Sequence, residues 1–436
     1  MKANWYKHYW IIVAAIVLGF ALSGCGTESK GYRTFSDYPG FKEYYADHCR
    51  DGEPIPLTRD VDKELLRKYR LRLILPPGGQ YPIDFYQDYL PYSVLRRYPK
   101  RTVIAESVTP EVLKVNQHNP SVYLDLQLDR FRAAGPRRKP SVYGRVYRET
   151  VTFPDGSGGE VSRNFTFLKY NVVFATSGLP ARLPTGFETF LKLAGFDLND
   201  WHQLDNFVAV HVVLDEKERP VAVILAQHNH HRTYLVGKDI ALPADGRMVF
   251  DIALRSNEVY VDSQDALPVE HRVARWTLYM KYLLSGEDAP FFRGYDLTYG
   301  VRAGGREISY DLATLSPCDP FYTATIMLGE PRPFLWWYIG RDGPPGADYY
   351  EIPPLLPLGN LLKFSYLHDG DPDDIAMAER SIDVRKKKID APRIMKYGGA
   401  RFYRDLTAAH QLARQYQVAF KNTTQPSAGC PGRPGG

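Results

Sequence analysis

Phe207-Val208-Ala209-Val210-His211-Val212-Val213-Leu214 leads through Asp215-Glu216-Lys217-Glu218-Arg219-Pro220 into Val221-Ala222-Val223-Ile224-Leu225-Ala226, and this stretch decides the fold. Two β-branched apolar runs of strand length flank a short charged connection. That pattern predicts an antiparallel hairpin. Working outward, Phe165–Phe174 reads as another strand and Met248–Leu254 as a neighbour of the hairpin. The fold class expected is α+β, an antiparallel β-sandwich core with peripheral helices. Abundant tyrosine (31) and proline (33) in 436 residues suit sheet with long ordered loops better than a helical bundle.

Helices are expected at the margins. Asp60–Tyr69 carries acidic residues at its start. Val269, Val273, Trp276, Met280 and Leu284 form one apolar stripe at helical spacing, with Gly286 at the C-cap position. A closing helix is expected near Arg404–Phe420, with Leu406, Ala409, Ala413, Tyr416 and Phe420 on one side. Between them, about Leu297 to Leu367, lies a second strand-rich block centred on Phe334-Leu335-Trp336-Trp337-Tyr338-Ile339. Its Trp336-Trp337-Tyr338 cluster reads as buried strand before it reads as a sugar-stacking surface. Asp371-Pro372-Asp373-Asp374 reads as a helix start rather than a calcium loop. Arg385-Lys386-Lys387-Lys388 reads as a solvated face.

The hairpin brings polar groups to one rim. In an antiparallel pair the start of the first strand lies beside the end of the second. His202 and Asp205 precede the first strand, and His228, His230 and His231 end the second. Imidazole and carboxylate at one rim can bind a divalent metal or move protons. They equally suit a polar loop rim of hydrogen-bonded histidines. The candidate ligand or metal residues are His202, Asp205, His228 and His230. No cofactor is implied beyond that divalent metal, and catalytic residues are not identified. G-x-S-x-G, H-E-x-x-H and a phosphate-binding glycine loop are absent from the sequence.

The N-terminal stretch has Lys2 and Lys7, an apolar run from Trp10 to Ala21, then Leu22-Ser23-Gly24-Cys25. A basic start, short apolar run and small residues before a cut read as a secretory signal. Leu-Ser-Gly-Cys resembles the lipobox of bacterial lipoproteins. The resemblance implies that Cys25 is lipidated and becomes the mature N-terminus, anchoring the protein to a membrane without spanning it. Gly26 stands where an aspartate would resemble an inner-membrane retention signal, so an outer-membrane lipoprotein is expected. Three cysteines remain in an oxidising compartment, allowing at most one intramolecular disulfide. Cys430 lies in the tail Pro426-Ser427-Ala428-Gly429-Cys430-Pro431, which leaves Cys49 with Cys318 as the favoured pair. Lys plus Arg number 55 against 50 acidic residues, too even a balance to argue for nucleic acid.

The hairpin also resembles that of the necrosis-inducing-protein-like superfamily and the related vacuolar-protein-sorting-associated family, over roughly residues 70–275. Those proteins carry H-x-x-D-W-E at the head of a strand, then a strand ending in Gln-His or Gly-His. Here the residues are His202-Gln203-Leu204-Asp205-Asn206-Phe207 and Val221–His228. Tyr81–Tyr86 and Phe165–Phe174 fall in a similar order upstream, and Ile252–Glu258 sits where another histidine loop often lies. The resemblance implies a β-sandwich flanked by helices and a cation held near this rim. Asn206 and Phe207 replace the family's Trp and Glu. His202, Asp205 and His228 therefore carry over, without the hard oxygen ligand that a calcium-type site needs.

The organisation expected is a signal peptide at 1–24, a lipidated N-terminus and tether at 25–40, a β-sandwich domain with flanking helices at 41–290, a second strand-rich region packed on it at 291–422, and a disordered tail at 423–436. The expected role is an envelope protein that binds a protein or small-molecule partner through the 202–231 rim. The alternative is a metal-assisted hydrolase acting on glycan or lipid through the same rim.

Overall fold

A computed structural model describes Cys49 and residues 60–135, 139–183, 185–227, 230–243, 245–273, 294–332, 342–348, 358–366, 382–383, 388–389 and 396–411. In chain order its larger strands are β1 Arg72–Leu75, β2 Ser93–Arg97, β3 Thr102–Ala105, β4 Val122–Leu126, β5 Ser141–Pro154, β6 Glu160–Ser177, β7 His202–Leu214, β8 Pro220–Gln227 and β9 His230–Leu235. There follow β10 Val249–Ile252, β11 Val259–Val261, β12 Val269–Arg272, β13 Tyr295–Thr298, β14 Arg306–Glu307 and β15 Asp311–Ala313.

The predicted hairpin is β7–β8, antiparallel from Val210↔Leu225 to Leu214↔Pro220. Asp215 closes its turn. Its Oδ1 accepts from the Lys217 and Arg219 amides at 2.9 Å, and its Oδ2 accepts from Arg219 Nε and Nη2 at 2.9 and 2.6 Å. Around the hairpin grows a six-stranded sheet in the order β15-β5-β6-β7-β8-β9. β6 contains the predicted Phe165–Phe174 strand and pairs antiparallel with both β5 and β7.

Strand side chains alternate between faces. On one face Leu168, Tyr170, Val172, Val210, Val212 and Val223 meet Leu73, Leu75, Phe250, Ile252 and Val259 of a second sheet, ordered β11-β10-β1-β14. Helix Asp60–Lys68 adds Leu65 and Leu66 to this layer. Two apolar faces packed this way form a sandwich. The chain is α+β with a sheet-rich core. Met248–Leu254 is thus a neighbour of the hairpin across the core, not along its sheet. β10 pairs in parallel with β1, and Phe250 and Ile252 face the hairpin valines.

The opposite face of the six-stranded sheet is covered in two parts. Tyr143, Val173 and Ala175 pack against Leu95 and Leu124 of sheet β3-β2-β4 and against Phe321 of the short helix Pro320–Thr323. Phe153, Phe167, Val213 and Ile224 pack against helix Leu358–Phe364 and against Phe402 of the helical run at 396–411. Between the two patches runs a buried polar row, Arg145↔Lys169↔His211, directly opposite one another across β5, β6 and β7. Asp348 bridges its cations, with Oδ2 2.5 Å from Arg145 Nη1 and Oδ1 3.1 Å from Lys169 Nζ.

The chain beyond residue 290 is threaded through these layers. β14 pairs with β1, β15 pairs with β5, and Phe321, Leu362 and Phe402 sit in the cores just described. The stripe expected as a helix from Val269 begins instead as β12, antiparallel to β13. Val269, His271 and Val273 also satisfy a period of two, and short apolar patterns do not separate the two periods. The rest of that stripe lies outside the described residues. So do Phe334–Ile339, the Asp371 helix start, Arg385–Lys387, the segment at 1–40 with Cys25, and the tail at 423–436. Cys49 is disulfide-bonded to Cys318, with Cα atoms 5.6 Å apart. No described helix is long and apolar enough to cross a membrane.

Candidate functional site

His202 and Asp205 lie inside β7, not ahead of it. A bulge between Val172 and Phe174 lets the strand continue, pairing Asp205 with Phe174 and His202 with Ser177. β8 does not follow this extension. It turns into β9, with Gln227 opposite His230 and Ala226 opposite His231. His228 lies outside the described residues, and His230 is described through its backbone alone. The convergence of His202, Asp205, His228 and His230 is therefore not shown.

His202 is half-buried. Its Nδ1 faces two carbonyl oxygens, Leu204 at 3.0 Å and Gln203 at 3.3 Å. Carbonyls only accept, so Nδ1 carries the hydrogen. Asp205 is buried, and its Oδ2 accepts from Asn257 Nδ2 at 3.2 Å. The same amide group donates to the Thr176 carbonyl at 2.8 Å. Gln227 Nε2, from the end of β8, donates to the Val259 carbonyl at 2.8 Å. The rim of the large sheet is thereby tied to the loop between β10 and β11.

That loop leads to a polar cluster that the hairpin alone does not reveal. Asp296 on β13 is fully buried. Its Oδ1 accepts from Ser256 Oγ and its Oδ2 from Tyr260 OH, both at 2.7 Å. His271 on β12 stacks on Tyr260 with ring centroids 3.9 Å apart, and its Nε2 is 2.9 Å from Thr298 Oγ1. Burial holds the His271 imidazole down to about 4, opposed by the Asp296 charge and aided by Arg232. Burial, then the Asp296 charge, raises the Tyr260 phenol well above its ordinary range. The reading of 269–284 as one helix hides this cluster. The signal available was the alternation of Val269, His271 and Val273.

Backbone strain gathers here. Leu204, Arg255 and Asn257 adopt left-handed conformations, with φ of 56°, 72° and 61°. Such residues cost on the order of 1 kcal/mol each and collect where structure is over-determined by function. Gly178 is the crossing point. Its amide donates to the Arg255 carbonyl at 2.9 Å, while the next amide, of Leu179, donates to the Leu198 carbonyl at 2.9 Å. Beside it lies an open groove lined by Glu188, Lys192, Phe196, Asp197 and Arg255.

Chemically, Asp205 accepts from Asn257, Asp296 from a serine and a tyrosine, and Ser256 is buried on its carboxylate. Among the described residues no group of three or more His, Cys, Asp and Glu is arranged to hold a metal ion. Asp251 on β10 differs from these acids. It is fully buried, and burial, then the Asp262 charge, pushes its carboxyl up to about 7, with the Ser263 amide opposing.

No family model, no curated protein and no solved structure matches this chain.

Proposed function

We propose that this protein is a lipid-anchored component of the bacterial envelope, held in the outer membrane through Cys25, that binds a ligand or partner at the rim around Asp205 and Asn257. The observation that carries the anchor is Leu22-Ser23-Gly24-Cys25 after a basic and apolar leader. The Cys49–Cys318 bond supports export, because structural disulfides belong to oxidising compartments. The strained backbone at Leu204, Arg255 and Asn257 and the groove beside Arg255 support the rim as the recognition surface. Binding is favoured over hydrolysis because the described rim carboxylate, Asp205, is engaged by the Asn257 side-chain amide.

Envelope fractionation of wild type and Cys25→Ala tests the anchor. Wild type should partition with detergent-extracted membrane, and Cys25→Ala should be released to the soluble fraction. Cys25→Ala protein that still fractionates with membrane would overturn the reading.

A further inference from the structure

Asp251 turns away from the core that Phe250 and Ile252 enter, onto the second face of β10. Neither of its carboxylate oxygens makes a hydrogen bond of good geometry, although the residue is fully buried, and the Ser263 amide favours its charged form only in part. Its ladder neighbours are Ile74 on β1 and Tyr260 on β11, and the Tyr260 hydroxyl donates to Asp296 instead. A buried carboxylate so weakly partnered costs several kcal/mol, on the order of the effective penalty for any desolvated ion. Something must neutralise it.

Two groups face it. Asp262 begins the turn after β11, and Gly300 begins the turn after β13. A Cβ on Gly300 would stand 3.6 Å from Asp251 Oδ2 and 3.0 Å from Asp262 Oδ1. Gly300 has φ −62° and ψ 168°, a conformation open to any residue. The backbone does not require glycine here. Its missing side chain leaves clear the spot where two carboxylates converge. The guanidinium groups nearby bond elsewhere. Arg72 is held by Glu307 at 2.7 Å, and Arg302 Nη1 donates to the Gln264 carbonyl at 3.2 Å. Asp262 is half-buried and Gln264 exposed, so the spot opens toward solvent.

Two carboxylates with no imidazole or thiolate form a hard-oxygen donor pair. Such donors select calcium or magnesium over zinc or copper. Calcium tolerates irregular geometry and completes its shell with water and carbonyl oxygens, whereas magnesium demands a near-ideal octahedron. We infer that Asp251 and Asp262 bind a calcium ion at the Gly300 turn. This site is separate from the 202–231 rim and involves none of its histidines.

The test uses the full chain, purified in detergent and stripped with chelator. Isothermal titration with calcium, and with magnesium in parallel, is run on wild type, Asp262→Asn and Gly300→Ala. Asp262 is near the surface and Gly300 is conformationally ordinary, so both variants are expected to fold. Wild type should take up one equivalent of calcium, and both variants should bind it at least tenfold more weakly. Millimolar calcium should raise the melting temperature of wild type and leave that of the variants unmoved. No calcium uptake by wild type at millimolar concentration, uptake unchanged in both variants, or uptake of magnesium alone would overturn the assignment. The first outcome would mean that a proton neutralises Asp251.

Discussion

At Gly178 two stretches of backbone pass too close for any side chain. A Cβ there would lie 2.7 Å from the carbonyl oxygens of both Arg255 and Leu198. Neither obstacle is a flexible side-chain tip, so the chain must shift. Gly178→Ala should destabilise the fold by about 1–3 kcal/mol, as overpacking of a close contact does. Chemical denaturation measures it, and an unchanged midpoint would show that the crossing is slack. His271 sets a second expectation. Its folded value of about 4 lies below the ordinary 6.5 of an unfolded histidine. Between these values the unfolded chain takes a proton that the folded chain refuses. The stabilisation is therefore complete above pH 6.5 and is lost as pH falls toward 4. Because the ring is partly exposed, the loss should be about 1–3 kcal/mol. Tyr260, Asp296, Thr298 and Arg232 lie around the imidazole. Unfolding free energy followed from pH 7 to 4 should lose part of its slope in His271→Gln. Equal slopes in both proteins would mean that His271 titrates normally.

Among the elements, the polar row on β5, β6 and β7 separates two apolar patches of one sheet face. Arg145 and Lys169 are buried cations that share Asp348. Removing the carboxylate leaves both charges desolvated, and breaking a buried pair costs about 3–5 kcal/mol. Asp348→Ala should lower stability by that amount in urea denaturation, while a loss under about 1 kcal/mol would show that water or another group replaces the carboxylate. The hairpin was legible because apolar β-branched runs and a turn closed by Asp215 are local features. The short helix at Asp60 was legible for the same reason. The partners of the hairpin were not, since its apolar face accepts any complementary layer, and Phe250 met it across the core rather than along the sheet. The site was half legible. His202 and Asp205 were visible as rim residues, yet the β6 bulge that carries them into β7 leaves no pattern of its own. Ser256 and Tyr260 lie four residues apart, but Asp296 and His271 reach them from a separate two-stranded sheet, so nothing in the linear spacing announces the cluster.

Over the whole molecule, the chain after residue 290 returns to supply edge strands and core aromatics to sheets built earlier. The Cys49–Cys318 bond spans 269 residues of that path. Closing so long a loop limits the unfolded ensemble, and native disulfides contribute about 2–5 kcal/mol. Cys318→Ser should therefore lower the unfolding free energy within that range, and reductant should have the same effect on wild type and none on the variant. A variant as stable as wild type would show that the bond adds nothing to the folded body. The account of the molecule as an envelope protein rests on Cys25. Mass spectrometry of the N-terminal peptide from membrane-extracted protein tests it most directly. The account predicts a chain beginning at Cys25 and carrying a thioether-linked diacylglycerol. A chain that retains residues 1–24, or begins at an unmodified Cys25, would contradict it.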